Sequence, residues 1–117
     1  MANPQKAKGT RWETAVMRFL RDAGLYAVKP RQEGFKDVGD IHAFPFVVQA
    51  KDYTDLLAGI RAGVDGYQVQ RANARLPFAV AVVKRARKPV EDAYVVLRLG
   101  DLPDLIKAAQ KAEAASD

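Results

Sequence analysis

Apolar positions along the chain fall into blocks separated by turn residues, and the spacing within the blocks switches between helical and strand-like. From Thr10, residues Trp12, Ala15, Val16, Phe19, Leu20 and Ala23 recur at three- and four-residue intervals, which predicts a helix stopped by Gly24. Leu25–Lys29 (LYAVK) is a β-prone run ended by Pro30, and residues 30–39 (PRQEGFKDVG) read as loop. Residues 41–44 (IHAF) and 47–51 (VVQAK) are short β-prone runs on either side of Phe44-Pro45. Proline cannot donate to a strand ladder, so a tight hairpin is predicted there.

Leu56, Leu57, Ile60, Val64 and Tyr67 then predict a helix from about Thr54 to Arg75, within which Gly59, Gly63 and Gly66 mark a break or a close approach. Residues 78–84 (FAVAVVK) form a continuous apolar strand expected at the sheet centre, and residues 93–99 (AYVVLRL) form another after a basic loop. Gly100-Asp101 opens a last helix with Leu102, Leu105, Ile106 and Ala109 on one face. The order αβββαββα predicts a single α/β domain over residues 10–117, a mixed central β-sheet flanked by helices, behind a flexible basic arm at 1–9.

A length of 117 residues suits one domain, which buries roughly two-thirds of its unfolded surface. With no cysteine, disulfide scaffolds, thiolate metal sites and cysteine nucleophiles are excluded, and a single histidine argues against a His-dependent triad. No apolar run reaches the roughly 20 residues of a membrane span, and the start MANPQKAKGT has no signal-peptide core, so a cytoplasmic protein with no membrane contact is expected. The net charge of +5 is unevenly placed. Residues 1–36 and 58–100 each carry +5, while residues 37–57 carry −3 and the tail 101–117 carries −2. An acidic island between basic segments suggests phosphate-binding surfaces around a cation site.

Four residues stand out: Glu13, Asp40, Gln49 and Lys51. Strand side chains alternate, so Gln49 and Lys51 share a face, with Asp40 at the mouth of the neighbouring strand. The Asp40 carboxylate, the Gln49 amide oxygen and the Ala50 carbonyl are hard ligands suited to Mg²⁺. Lys51 beside them suits a phosphodiester hydrolase, since an ammonium offsets charge on the phosphorane.

The run GDIHAFPFVVQAKDY, with Asp40 ahead of Gln49-Ala50-Lys51, resembles the PD-(D/E)XK nuclease motif. The opening KGTRWETAVMRFLRDAGL, with Lys8-Gly9 and then Glu13, resembles the first helix of the archaeal-type Holliday junction resolvases in that superfamily. The resemblance covers most of residues 8–99 and implies a restriction-endonuclease-like core. It implies Mg²⁺-dependent nicking of four-way (branched double-stranded) DNA junctions by a homodimer, with Mn²⁺ as a possible substitute. By resemblance, Glu13 is a metal-site carboxylate, Asp40 a direct ligand, Gln49 the usual acidic-ligand position and Lys51 the catalytic lysine. Two departures are visible. Gly39 replaces the motif's opening proline, and Gln49 replaces a carboxylate, which lowers the site's affinity for Mg²⁺.

Each residue also has a plainer reading. Thr10 and Glu13 fit a capping box. Asp40 is also read as a turn residue, with Asp37 a competitor for its ligand role. Lys51 is also read as a solvated strand end, and His42 as a satisfied polar residue behind the site. Lys6, Lys8, Arg11, Arg85, Arg87 and Lys88 suit DNA phosphates or ordinary solvated surface. Phe35, Phe44 and Phe46 suit a dimer surface or the core. Gln68 and Gln70 face DNA or nothing in particular. The reading favoured is a structure-selective endonuclease. Its alternatives are another nuclease of the same superfamily, for repair or restriction, and a non-catalytic DNA-binding subunit.

Overall fold

The computed structural model describes residues 3–31, 34 and 36–116. Helix α1 (Pro4–Asp22) is followed by strands β1 (Ile41–Ala43) and β2 (Phe46–Lys51). Helix α2 (Leu56–Ala74), strands β3 (Phe78–Val83) and β4 (Tyr94–Val96), and helix α3 (Leu102–Ala115) complete the chain. The result is a single α/β domain with one four-stranded sheet of order β1-β2-β3-β4. β2 runs parallel to β3, and the two outer pairings are antiparallel, so the sheet is mixed as expected. The hairpin turn at Phe44-Pro45 forms, with a cis peptide bond. Among the described residues, no helix is long and apolar enough to cross a membrane.

The order αβββαββα is not what forms. The run 25–29, expected as a strand, contributes only an isolated bridge between Val28 and His42. Leu25 and Tyr26 are exposed, and the β-prone run has no second partner to pair with. The arm also differs from expectation, because α1 begins at Pro4. Asn3 is its N-cap, its side-chain oxygen accepting from the amides of Gln5 at 3.0 Å and Lys6 at 3.4 Å, with Pro4 in the first turn. Thr10 and Glu13 consequently lie inside the helix, and no capping box forms.

The sheet divides the core into two layers. On one face Trp12 and Val16 of α1 pack with Ile41, Val48, Ala50 and Val80. Trp12 also donates its indole N–H to the Val82 carbonyl at 3.2 Å, which fixes the helix against β3. On the other face Tyr67 of α2 packs with Val47, Ala79, Ala81 and Val83. Tyr67 is fully buried, its hydroxyl donating to Asp101 and accepting from the Arg98 amide at 2.7 Å. Burying such a side chain contributes roughly 1.5–3 kcal/mol, provided its polar tip is paired in this way.

Helix α2 is unbroken, and two of its three glycines, Gly59 and Gly63, mark close approach, whereas Gly66 meets only Gln70 of the same helix. Gly59 and Gly63 are buried against the sheet, and a Cβ at Gly63 would lie 2.6 Å from the Ala81 Cβ. Gly63→Ala is expected to destabilise the fold by about 1–3 kcal/mol, since the helix must lift from β3. A fall in the urea midpoint with an unchanged m-value measures it, and an unchanged midpoint contradicts the packing argument.

Candidate active site

The C-terminal end of β2 opens into a pocket of about 350 Å³ between α1 and the loop that leads into α2. Its lining includes Gly9 and Glu13 from α1, Asp40 at the mouth of β1, and Ala50 and Lys51 from β2. Asp52, Tyr53 and Thr54 complete the rim. Three of the four residues singled out in the sequence therefore meet. Each is brought there by a separate constraint: Trp12 fixes α1 and so the neighbouring Glu13, the β1–β2 hairpin carries Asp40, and Lys51 ends the parallel strand.

Asp40 is oriented by the chain itself. Its Oδ2 accepts the Ala50 amide N–H at 2.9 Å, so Ala50 contributes a donor to the site's carboxylate. Burial raises the Asp40 carboxyl above its ordinary value of 3.8, against the opposing pull of the Ala50 N–H and the Lys51 charge. Glu13 is also raised above its ordinary 4.5, first by burial and then by repulsion from Asp40, with Lys29 and Lys51 acting the other way. Two carboxylates that repel one another in a partly desolvated pocket favour a cation between them. Mg²⁺ is commonly held by one or two carboxylates and several waters, so Glu13 and Asp40 fit it. Among the described residues, no group of three or more His, Cys, Asp or Glu side chains is arranged to hold a metal ion.

Gln49 does not join them. It shares the face of Lys51 as strand alternation requires, but it sits two residues deeper, about 7 Å back along the strand. Only 4% of it is exposed, and its Oε1 lies beside Gly39 with no hydrogen-bond partner. A Cβ built on Gly39 would be 3.7 Å from that oxygen and 3.8 Å from the Gln70 Cβ. Lys51 reaches the pocket because it ends the strand, whereas Gln49 is covered by the helix. The Gln49 amide oxygen is thus not among the groups lining this pocket.

The rival ligand Asp37 is engaged elsewhere. Its carboxylate accepts the Gly39 amide at 2.9 Å and the Gln70 side-chain amide at 2.8 Å. His42 faces the Val38 carbonyl at 2.6 Å, in keeping with a satisfied polar residue. Gln70 is buried, and Gln68 donates to Asp101 at 2.8 Å, so neither is presented to a nucleic acid.

Among the cations, Lys6 and Arg11 are exposed on α1. Lys8 instead pairs with Asp52 at 3.5 Å, and Asp52 also meets Lys84 at 3.7 Å. Arg85 stacks on the Tyr94 ring at 4.6 Å, while Arg87 and Lys88 are exposed at the loop tip. Phe44 is exposed and Phe46 packs on Phe78 with ring centroids 5.3 Å apart; Phe35 lies outside the described residues.

Sequence reasoning missed Asp52 and Lys84. Asp52, whose side chain is 8% exposed, clamps the start of α1 to the end of β3 through two lysines. Its signal was present in the acidic island, directly after Lys51. The Lys84 partnership was not legible, because it depends on β2 and β3 lying side by side, with the Lys84 amide donating to the Lys51 carbonyl at 2.9 Å. No family model, curated protein or solved structure matches the chain.

The raised carboxyls give the site a pH signature. A carboxyl whose folded pKa lies above its unfolded value stabilises the fold fully below the unfolded value. That contribution is lost as pH rises through the folded one. Asp40→Asn keeps an oxygen for the Ala50 N–H and removes the ionisation. The variant is expected to gain stability relative to the wild type from about pH 4 upward, as the buried carboxylate ionises. Urea unfolding of both proteins at pH 4 and pH 7 measures this, and an unchanged difference between them contradicts it.

Proposed function

We propose that this chain is a metal-dependent DNA endonuclease on a restriction-endonuclease-like core, acting as a homodimer on four-way junctions. The observation that supports it is the meeting of Glu13, Asp40 and Lys51 in one pocket, from three elements distant in sequence. A helical carboxylate, a strand-mouth aspartate held by a backbone amide and a strand-end lysine form a set suited to phosphodiester hydrolysis. The branched substrate and the homodimer rest on the resemblance of α1 and the Asp40–Lys51 run to the archaeal-type resolvases. A two-fold dimer also matches the two symmetric strands of a junction.

Glu13 and Asp40 would hold the Mg²⁺. Bound there, the ion supplies Lewis-acid stabilisation of charge on the phosphoryl oxygens and lowers the pKa of a water. The chain's own groups do the rest. The Ala50 N–H fixes the Asp40 carboxylate, leaving its second oxygen for ligation. The Lys51 ammonium draws a non-bridging phosphate oxygen and offsets the charge that grows on phosphorus. Lys51 also lies where it would orient the attacking water, whose proton passes to solvent. The water oxygen bonds to phosphorus, the opposite P–O bond breaks, and the departing oxygen picks up a proton from solvent. Lys6, Arg11, Arg87 and Lys88 are exposed cations available to backbone phosphates.

One observation favours a second reading. Gln49 stands where the resembling nucleases carry an acidic ligand, and it lies beside Gly39, outside the pocket, with a buried, unpaired oxygen. A site reduced to two carboxylates in this way suits a DNA-binding subunit that has lost its cutting role.

A labelled four-way junction and a linear duplex of the same sequence, each with Mg²⁺ or EDTA, separate the readings. Paired nicks in the junction alone are expected, with metal alone, falling about 100- to 1,000-fold in Lys51→Ala and in Asp40→Ala. Cutting of both substrates points to a general nuclease. Tight binding without cutting in Mg²⁺ or Mn²⁺ favours the binding subunit, and wild-type cutting by either variant overturns the site.

A further inference from the structure

A large apolar feature of the described residues lies away from the candidate site. The sheet face that carries α1 is only partly covered, and beside the helix runs an apolar groove of about 700 Å³. One wall is α1, through Val16, Phe19 and Leu20; the floor is sheet, including Val80 and Val82. The hairpin tip, Tyr26 and β4 form the remaining edges. Glu91 is its one charged lining residue among those described.

The groove is bordered by side chains that a lone domain would be expected to bury. Phe19, Leu25, Tyr26, Phe44 and Val95 are 44% to 81% exposed. At about 150–250 Å² for a large side chain, these five leave on the order of 600 Å² of mostly apolar surface in water. Leu99 at 81% and Ile106 at 46% are also exposed, each close in sequence to a groove residue, Leu97 and Leu105. Monomers rarely carry an apolar patch beyond a few hundred Å², whereas a stable protein interface takes about 800 Å² from each partner. The patch is of interface size.

The same chain also holds an element that lacks a partner. Helix α3 has no buried residue along its 14 residues, although Leu102, Leu105, Ile106 and Ala109 give it an apolar face. Leu105 touches the rim of the groove while its neighbour Ile106 stays exposed. Lys107 follows on the helix, opposite in charge to the groove's Glu91. Groove and helix adjoin on one surface. A surface that presents both a cleft and a complementary ridge can pair with its own copy about a two-fold axis.

We propose that this face is the contact between two copies of the chain, each placing its α3 in the groove beside the other's α1. The homodimer is shared with the proposed function, and what is added here is the face and the seat of α3, which rest on the apolar groove and helix. A monomer that still cuts junctions defeats this contact and leaves the cutting reading standing, whereas a dimer through this face that cuts nothing does the reverse. The area and the shared two-fold surface select a second copy over an unrelated partner.

Sedimentation equilibrium of the full chain at micromolar concentrations tests the pairing. A dimer is expected, and Phe44→Asp and Val95→Asp, both at exposed positions, should each raise its Kd at least tenfold. Unchanged far-UV circular dichroism and melting in these variants show that the fold is intact. A wild-type monomer overturns the proposal, whether the groove stays open, closes on its own α3 or accepts another protein. A dimer that both aspartate variants leave unchanged overturns it as well.

The exchange of helices has its own readout, because the chain has no cysteine. Ile106→Cys and Val95→Cys chains, mixed and oxidised, should give a disulfide-linked mixed dimer. A dimer that forms without that mixed link overturns the placement of α3.

Discussion

Strand β2 is buried on both faces, and most of the architecture follows from that. Val47, Val48, Gln49 and Ala50 are all buried in succession, which a strand permits only if a layer covers each side. Val48 and Ala50 face the α1 layer, and Val47 faces α2. β3 lies parallel beside it, so α2 must cross over one face to connect the two strands. Its glycines let that crossover helix settle onto Ala81 and Val83. The two layers then meet the C-terminal end of β2 from opposite sides. There the strand emerges from cover, and a charged side chain at position 51 can reach water.

The same constraint divides the candidate ligands. Lys51 escapes the helix because it is the last residue of the strand, while Gln49 does not. The nuclease motif that this run resembles carries an acidic residue at the position of Gln49, but an ionised group there would be buried in the α2 layer. A neutral amide is less costly to bury, even with one oxygen unpaired, than a carboxylate would be. Glu13 and Asp40 stand at the wetter edge, where burial raises their pKa values without removing them from solvent. The charge balance of the pocket is therefore two carboxylates against Lys51, with Asp52 engaged by Lys8 and Lys84. Those two ion pairs are partly exposed, so each contributes only about 0–1 kcal/mol. Their effect is mainly to hold the start of α1 against the sheet.

The asymmetry between the two sheet faces is the other consequence of a short chain. α2 lies across β2 and β3, closing its side around Tyr67. α1 covers its own side incompletely, and α3 leaves from the end of the domain. The apolar surface that remains is continuous with exposed residues of the hairpin and of the segment after α1. An isolated domain gains nothing from keeping such surface in water, and burial against a second surface recovers the hydrophobic free energy.

The sequence by itself determined the element types, because hydrophobic spacing of two or about 3.6 residues is a local property. The hairpin at Pro45, helix α2 to within about two residues and the strand 78–84 were legible for that reason. The Glu13, Asp40 and Lys51 set was legible as residue types in a pattern, whereas Gln49, read with them as a ligand, lies outside their pocket. The start of α1 was misread because Thr10 with Glu13 imitates a cap, while Asn3-Pro4 outcompetes it further upstream. The run 25–29 has strand composition, yet a strand needs a neighbour with free backbone groups, and only His42 supplies them. Tertiary structure alone decided that Asp52 joins two lysines, that Gln49 is hidden in the α2 layer, and that α1 leaves part of a sheet face bare. Each depends on which side of the sheet a distant helix covers, and no local spacing along the chain encodes that.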